Sequence, residues 1–193
     1  MNPYSGITEI RKSELSDSQR KLQEAYLKLA KERPYMDIPV KKLCERAGVA
    51  RTTFYASYRN TDELLEEIED SLIFDLLKVN DQMKDHASLA DSGGDLFYSN
   101  MREFVARNQD ELRILLVDRP DARLTEKWKT AVKYHFWEVL PESSGERNDF
   151  VLEIIASLAV SIYTYLIKNP EQAQLEGRAV IQTVIHAIQK LNY

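Results

Sequence analysis

The fold of this chain is decided by the stretch VKKLCERAGVARTTFYASY, which spans residues 40–58. Its first half has apolar side chains at Val40, Leu43 and Ala47, the spacing of a helix with one buried face. Gly48 follows, where the backbone can adopt positive φ and turn sharply. The remaining residues predict a second short helix. The stretch as a whole therefore predicts a helix, a tight turn and a helix.

The second of these helices has two chemically different faces. Phe54 and Tyr58 lie four residues apart, so they share one face, which we expect to point inward. Arg51, Thr52 and Tyr55 point elsewhere and present a cation, a hydroxyl and a phenol. These groups suit phosphate oxygens and the base edges of a DNA major groove. The sequence therefore predicts a helix that reads DNA.

The flanking residues predict one helix on each side of this motif. Apolar residues at helical spacing predict a helix over residues 16–33, which Pro34 ends because proline disfavours the helical region for the residue before it. After the motif, Asn60 is placed to cap a long helix, and Glu63 is placed to complete a capping box. The first part of the chain therefore resembles a compact helical domain joined to a long helix.

The rest of the chain also has helical periodicity. A polar, glycine-containing loop is predicted over residues 84–95, and helices resume near Leu96. Further boundaries are predicted at residues 119–121, 141–145 and 169–170, each of which contains proline. Runs of alternating apolar and polar residues with hairpin turns are absent from the sequence, so we predict an all-α protein.

Charge divides the 193 residues into two parts. The whole chain carries a net charge of −5, but residues 1–61 sum to +5 and residues 62–193 to −10. This asymmetry indicates that the first part faces an anionic partner. We predict a DNA-binding domain over 1–61 and a helical effector-binding and dimerisation domain over 62–193, with the linking helix starting at 62.

The most apolar segment spans residues 150–167, at the lower limit of a membrane span. We expect burial rather than a membrane, because Glu153 lies in the first turn and basic clusters do not flank the segment. A further apolar stripe runs through residues 180–191. The two helices together predict a homodimer interface. A single cysteine and the lack of an apolar leader at the N-terminus predict a reducing, cytoplasmic compartment.

Catalytic, metal-binding and cofactor motifs are not found in the sequence. Cys44 is best explained as a small buried hydrophobe, and His135 with Glu138 makes only one pair at helical spacing. The glycines at 93–94 lack the lysine and hydroxyl residue of a phosphate loop. The sequence therefore predicts no catalytic residue, no metal and no cofactor.

Residues 40–65 resemble the helix-turn-helix of the TetR-type family of bacterial transcriptional regulators, and the resemblance extends over residues 16–70. It implies an N-terminal three-helix DNA-binding domain and a larger C-terminal helical domain for ligand binding and dimerisation. Two positions depart from the family pattern. Ala50 replaces the serine that often caps the recognition helix. Thr61 replaces a frequent lysine, so that phosphate contact is either weaker or supplied by Arg59. Eight residues are predicted to contact DNA: Arg51, Thr52, Thr53, Tyr55, Ser57, Tyr58, Arg59 and Lys41.

The resemblance implies a ligand-responsive regulator, a repressor, that binds a palindromic operator in double-stranded DNA as a homodimer. An excess of aromatic residues in a domain without catalytic groups adds an apolar small-molecule effector. Ordinary core packing is the alternative explanation of these side chains. Two other functions stay open, a DNA-binding regulator controlled by a protein and an α-helical enzyme or carrier. Eight residues are predicted to line the effector pocket: Phe97, Met101, Phe104, Leu112, Leu115, Trp128, Phe136 and Tyr163.

Overall fold

The protein is all-α in the part that its structure, a computed structural model, describes. The described residues are 1–32, 38–82, 94–139, 148–171 and 179, with side chains from Ser99 onward in the third range. Strands do not occur in these ranges, which confirms the predicted fold class. The helices are α1 Asp17–Glu32, α2 Val40–Ala47, α3 Arg51–Ser57, α4 Thr61–Asp81, α5 Gly94–Arg107, α6 Gln109–Leu112, α7 Ala122–Val139 and α8 Asp149–Lys168.

The N-terminal domain is held together by the apolar faces that the spacing predicts. Helix α1 packs against α2 and α3, and its Leu22 and Tyr26 are fully buried. Leu43 of α2 and Phe54 of α3 complete this small core, each with no exposed surface. Burial of side chains of this size stabilises the domain by about 1.5–3 kcal/mol each. The core thereby fixes which side of α3 faces solvent.

Helix α6 continues as a π-helix over Arg113–Asp118, a feature that the sequence does not predict. The Arg119 amide donates to the Ile114 carbonyl at 2.8 Å, a hydrogen bond that spans five residues. Ile114, Leu115 and Leu116 are all buried, although consecutive residues of a helix point in different directions. The segment contacts both α1 and α8, so it meets core on more than one side. This packing joins the C-terminal domain to the DNA-binding domain.

Several predicted boundaries are confirmed and others lie outside the described residues. The break at 119–121 separates the π-helix from α7, and Asn169 ends α8. Helix α5 begins at Gly94, two residues before the predicted start. Pro34, the loop at 84–93, the break at 141–145 and the last helix at 180–191 lie outside the described residues.

Helix α8 is long and apolar enough, by length and composition alone, to cross a membrane. One of its faces is buried, packed against α7 and the π-helix, and includes Leu152, Ala156 and Tyr163. The opposite face remains exposed and apolar. We define this α8 stripe as Phe150, Ile154, Leu158 and Tyr165.

Candidate nucleic-acid interface

The corner between α2 and α3 is a glycine-terminated helix end. Gly48 has φ of 65° and ψ of 32°, as its sequence context predicts. Its amide donates to the Glu45 carbonyl at 3.4 Å, and the Val49 amide donates to the Cys44 carbonyl at 3.0 Å. This pair of bonds is a Schellman motif, which satisfies carbonyls that the end of α2 leaves open. A side chain with a Cβ is strained at this φ, so glycine sets the angle between the helices.

Phe54 and Tyr58 fasten α3 to the domain. Phe54 has no exposed surface, and the Tyr58 ring lies 5.6 Å from it, centroid to centroid. The Tyr58 hydroxyl donates to the Glu67 carboxylate of α4, and burial raises the pKa of this phenol. Tyr58, which the sequence predicts to contact DNA, is 5% exposed and faces the interior of the domain. Its ring and hydroxyl are both used to hold α3 on α4.

The opposite face of α3 is open to solvent. Arg51, Thr52, Thr53, Tyr55 and Ser57 are all exposed, so the structure leaves each of these predicted residues accessible on α3. The Arg51 guanidinium carbon lies 5.9 Å from the Tyr55 ring centroid, within the range of a cation–π contact. A hydrogen bond to Tyr55 raises the pKa of Arg51 further above its usual value. The two side chains therefore present a cation and an aromatic ring as one unit.

The N-termini of α3 and α4 differ in how they are capped. Ala50 occupies the N-cap without a side-chain hydrogen bond, as the sequence predicts. At the start of α4, Asn60 Oδ1 accepts the Glu63 amide at 2.9 Å, which confirms Asn60 as a cap. Glu63 accepts the Arg59 amide at 2.7 Å, one residue before the position that a capping box requires. The Arg59 guanidinium also pairs with Glu63, and its side chain is exposed.

Lys41, which is also predicted to contact DNA, has an exposed side chain on α2. Its ammonium is 4.0 Å from the Glu45 carboxylate, a loose pair one helical turn away. Pairs of this kind contribute little to stability. Lys41 and Arg59 can therefore turn to a phosphate at small cost.

A buried ion cluster joins α4 to α7, and sequence reasoning missed it. Glu69 of α4 has no exposed surface, and one of its oxygens lies 2.7 Å from Arg123 Nε and 3.1 Å from Lys127 Nζ. Arg123 also reaches Asp62 at 3.2 Å, beside the N-terminus of α4. Burial raises the pKa of Glu69, an effect that the two cations oppose. Arg123 and Lys127 lie 54 and 58 residues from Glu69 in the chain, so the local sequence pattern does not reveal the cluster.

Three of the residues predicted to line an effector pocket pack against one another. Phe104, Trp128 and Tyr163 are at most 4% exposed. The Trp128 ring centroid lies 5.6 Å from that of Phe104 and 5.0 Å from that of Tyr163. Met101, Leu112 and Leu115 are buried in the same core, Phe136 is half-buried, and the Phe97 side chain lies outside the described residues.

The N-terminal domain is similar in sequence to a known protein family. Residues 23–68 match the model of the family described as "Bacterial regulatory proteins, tetR family". This range covers most of α1, the whole of α2 and α3, and the first part of α4. The match therefore falls on the helix-turn-helix and its supports.

Two solved structures resemble the whole chain. One, "Dihydroxyacetone kinase operon activator DhaS", has a TM-score of 0.61 and 17% identity over 91% of this chain and 98% of that chain. This likeness shows a shared fold. The other is the TetR family repressor AlkX from Dietzia sp. strain DQ12-45-1b, with a TM-score of 0.47 and 15% identity over 92% and 98% of the two chains.

Proposed function

We propose that this protein, which is a TetR-type bacterial regulator, binds a two-fold symmetric operator as a homodimer and represses transcription until a small molecule releases it. One observation carries this function. Six large apolar side chains are exposed in the described part of the chain, and five of them lie on two surfaces. Tyr55 lies on the outer face of α3, and the other four form the α8 stripe. The groups exposed on each surface suit a different partner.

The outer face of α3 suits the major groove. Arg51 offers paired donors to guanine or phosphate, Thr52 and Thr53 offer hydroxyls, and the Tyr55 ring offers apolar contact with a thymine methyl. The positive charge of residues 1–61 and the negative charge of 62–193 favour the orientation in which α3 approaches DNA. We therefore assign direct reading of bases to α3 and phosphate contacts to Lys41, Ser57 and Arg59 around it.

The α8 stripe suits a second copy of the chain. Phe150, Ile154 and Leu158 recur every four residues, which places them on one side of the helix. A self-complementary apolar face of this kind pairs across a two-fold axis, and we expect residues 180–191 to join the same interface. The dimer then holds two copies of α3 at the fixed spacing that a palindromic operator requires.

Control by a small molecule requires that the ligand bind two states of the dimer with different affinity. In the predicted pocket, an apolar ligand has to separate the rings of Phe104, Trp128 and Tyr163. The indole N–H of Trp128 forms no hydrogen bond with the described residues, so it is available as a donor to such a ligand. A coupling of about 1–3 kcal/mol would change operator affinity roughly 5- to 150-fold.

The closed packing of the same three rings favours a second candidate, a DNA-binding regulator that responds to a protein instead of a small molecule.

Groups of His, Cys, Asp and Glu able to hold a metal are not found among the described residues. We assign the protein a binding role rather than a catalytic one, and we place it in the cytoplasm, where operator DNA is accessible.

Selection of bound fragments from a random DNA pool tests the central part of this function. We expect an inverted repeat whose half-sites are separated by about one or more helical turns. Binding of that repeat should weaken steeply with salt, because Lys and Arg contacts release counterions from the phosphates. A reporter gene placed behind the repeat then distinguishes repression from activation. An unenriched pool, or binding that is indifferent to salt, would contradict DNA recognition by α3.

A further inference from the structure

The N-terminal arm, residues 1–16, folds back onto the C-terminal domain. Asn2 Nδ2 donates to the Tyr134 carbonyl at 3.1 Å and to the Glu138 carboxylate at 2.8 Å, both on α7. Lys12 pairs with Asp75 of α4 at 2.6 Å. The arm therefore bridges α4 and α7, at the end of α4 that is far from α3.

A cleft of about 220 Å³ lies between the arm, the last turns of α4 and α7. Ile10 of the arm and Phe74 and Leu77 of α4 give it apolar walls. Arg11 and Lys78 also line it, and both are exposed. An engineered apolar cavity of about 150 Å³ binds benzene, so this cleft has room for one ring with a short substituent.

Polar groups in the cleft are placed to receive an anion. The Lys78 ammonium lies 4.6 Å from the Phe74 ring centroid and forms no ion pair with the described residues. Arg11 Nη1 donates to the Ile10 carbonyl at 3.0 Å and also to the Thr8 carbonyl, which holds the guanidinium at the arm. Asn80 is 7% exposed, and its side-chain amide forms no hydrogen bond with the described residues.

We propose that this cleft binds a small cyclic monocarboxylate. The ring packs between Phe74, Leu77 and Ile10, where apolar surface is removed from water. The carboxylate faces Lys78 and Arg11, and the Asn80 amide gains a hydrogen-bond partner. The lining also includes Asp81, which disfavours a dianion and restricts the ligand to a single negative charge.

Occupancy of the cleft connects to regulation because three elements form its walls. The arm precedes α1, and α4 begins beside α3, so a ligand that shifts the arm against α4 acts on the DNA-binding domain. This effector role rests on the proposed function; binding in the cleft does not. The cleft is a different site from the cluster of Phe104, Trp128 and Tyr163.

Calorimetry with 3-phenylpropionate tests binding, with 3-phenylpropanamide as the neutral control. For a ligand of this size we expect a Kd of about 1 mM for the acid and weaker binding of the amide. Lys78→Gln should weaken the acid about fivefold, the effect of a solvent-exposed charge pair. The matched control is Lys28→Gln, because Lys28 is an exposed lysine 3.9 Å from Glu24 on α1. That variant should bind like the unmodified protein.

Nuclear Overhauser contacts locate the probe. Contacts from its ring to Phe74 and Leu77 support the cleft, whereas contacts to Trp128 and Tyr163 would overturn it in favour of the aromatic cluster. Lack of binding at about 10 mM, or equal affinity in Lys78→Gln, would also overturn it.

Mobility shifts on the same samples separate this site from the proposed function. If the unmodified protein binds its selected operator and the probe weakens that binding, the effector role is supported. If the probe contacts Phe74 and operator affinity stays the same, the effector role is wrong and the site remains. Failure to bind any DNA would overturn the proposed function and leave the calorimetric result intact.

Discussion

Tyr55 on α3 and Tyr165 on α8 expose nearly equal fractions of their surface, 51% and 49%, in surroundings of opposite chemistry. Tyr55 stands beside a guanidinium and two threonines on a helix whose exposed face is polar and cationic. Tyr165 lies on α8, whose exposed face also presents Phe150, Ile154 and Leu158. Exposure alone therefore does not identify a binding surface.

The two surfaces differ in the groups that surround each tyrosine, and these groups decide which partner a surface suits. A ring beside cations and hydroxyls suits phosphates and bases, whereas a ring in an apolar row suits another apolar surface. The proposed function needs both surfaces together, because an operator with two half-sites requires two copies of α3. Variants that damage one surface and spare the other test whether the two surfaces have separate partners.

The largest effect is expected from Ile154→Asp in the α8 stripe. An unpaired carboxylate buried in an interface costs about 3–5 kcal/mol, and a two-fold dimer suffers it twice. We expect monomers by light scattering and operator binding weakened by more than about 100-fold. Ile154→Leu keeps the apolar face and should remain dimeric. A dimeric Ile154→Asp protein would show that the stripe is not the interface.

The second largest effect is expected from the buried ion cluster that joins α4 to α7. Arg123→Ala leaves the Glu69 carboxylate buried without one of its two cations. We expect the free energy of unfolding, measured in urea, to fall by about 3–5 kcal/mol. Arg107→Ala removes an exposed pair with Glu103 and should change stability by at most about 1 kcal/mol. Equal effects of the two substitutions would mean that the buried cluster does not hold α4 on α7.

Matched tyrosine substitutions test the comparison itself. Tyr55→Ala removes a base or phosphate contact and should weaken operator binding by about 1–3 kcal/mol without changing the dimer. Tyr165→Ala removes similar exposed area from α8 and should weaken dimerisation while the per-dimer affinity for DNA stays constant. Titrations of labelled operator at protein concentrations well above the dimer Kd separate the two results. An unchanged operator affinity in folded Tyr55→Ala protein would exclude it from recognition.

The smallest effect concerns the pH dependence of the contact between α7 and α8. Lys129 and Lys133 each lie 2.6 Å from the Glu153 carboxylate and lower the pKa of Glu153 to about 2, from a usual value of 4.5. A lowered pKa contributes stability above pH 4.5 that is lost as the pH falls from 4.5 toward 2. Because Glu153 is partly exposed, screening limits this contribution to about 1 kcal/mol.

Glu153→Gln should remove this dependence. Its unfolding free energy, measured in urea between pH 5 and the lowest pH at which both proteins stay folded, should fall less steeply than that of the unmodified protein. Parallel pH curves for the two proteins would exclude a contribution from this ion pair.

Local features of the chain were predictable from the sequence. Gly48 adopts positive φ, Asn60 caps α4, and Ala50 leaves α3 without a side-chain cap. Each depends on the conformation of a few neighbouring residues, which the residue types themselves restrict. The spacing of Phe54 and Tyr58 likewise indicated a shared inward face, and both side chains are buried.

The contacts between distant segments depend on how the helices pack. The ion cluster of Glu69, Arg123 and Lys127 and the docking of the N-terminal arm on α7 both join residues far apart in the chain. The π-helix at Arg113–Asp118 packs against the distant helices α1 and α8. A charged or apolar residue looks the same in sequence whether it faces solvent or a partner many residues away. The energy of such contacts depends on distance and burial, which arise only when the helices pack. Sequence therefore determined the helices and the chemistry of their faces, and packing determined which of those faces remained open.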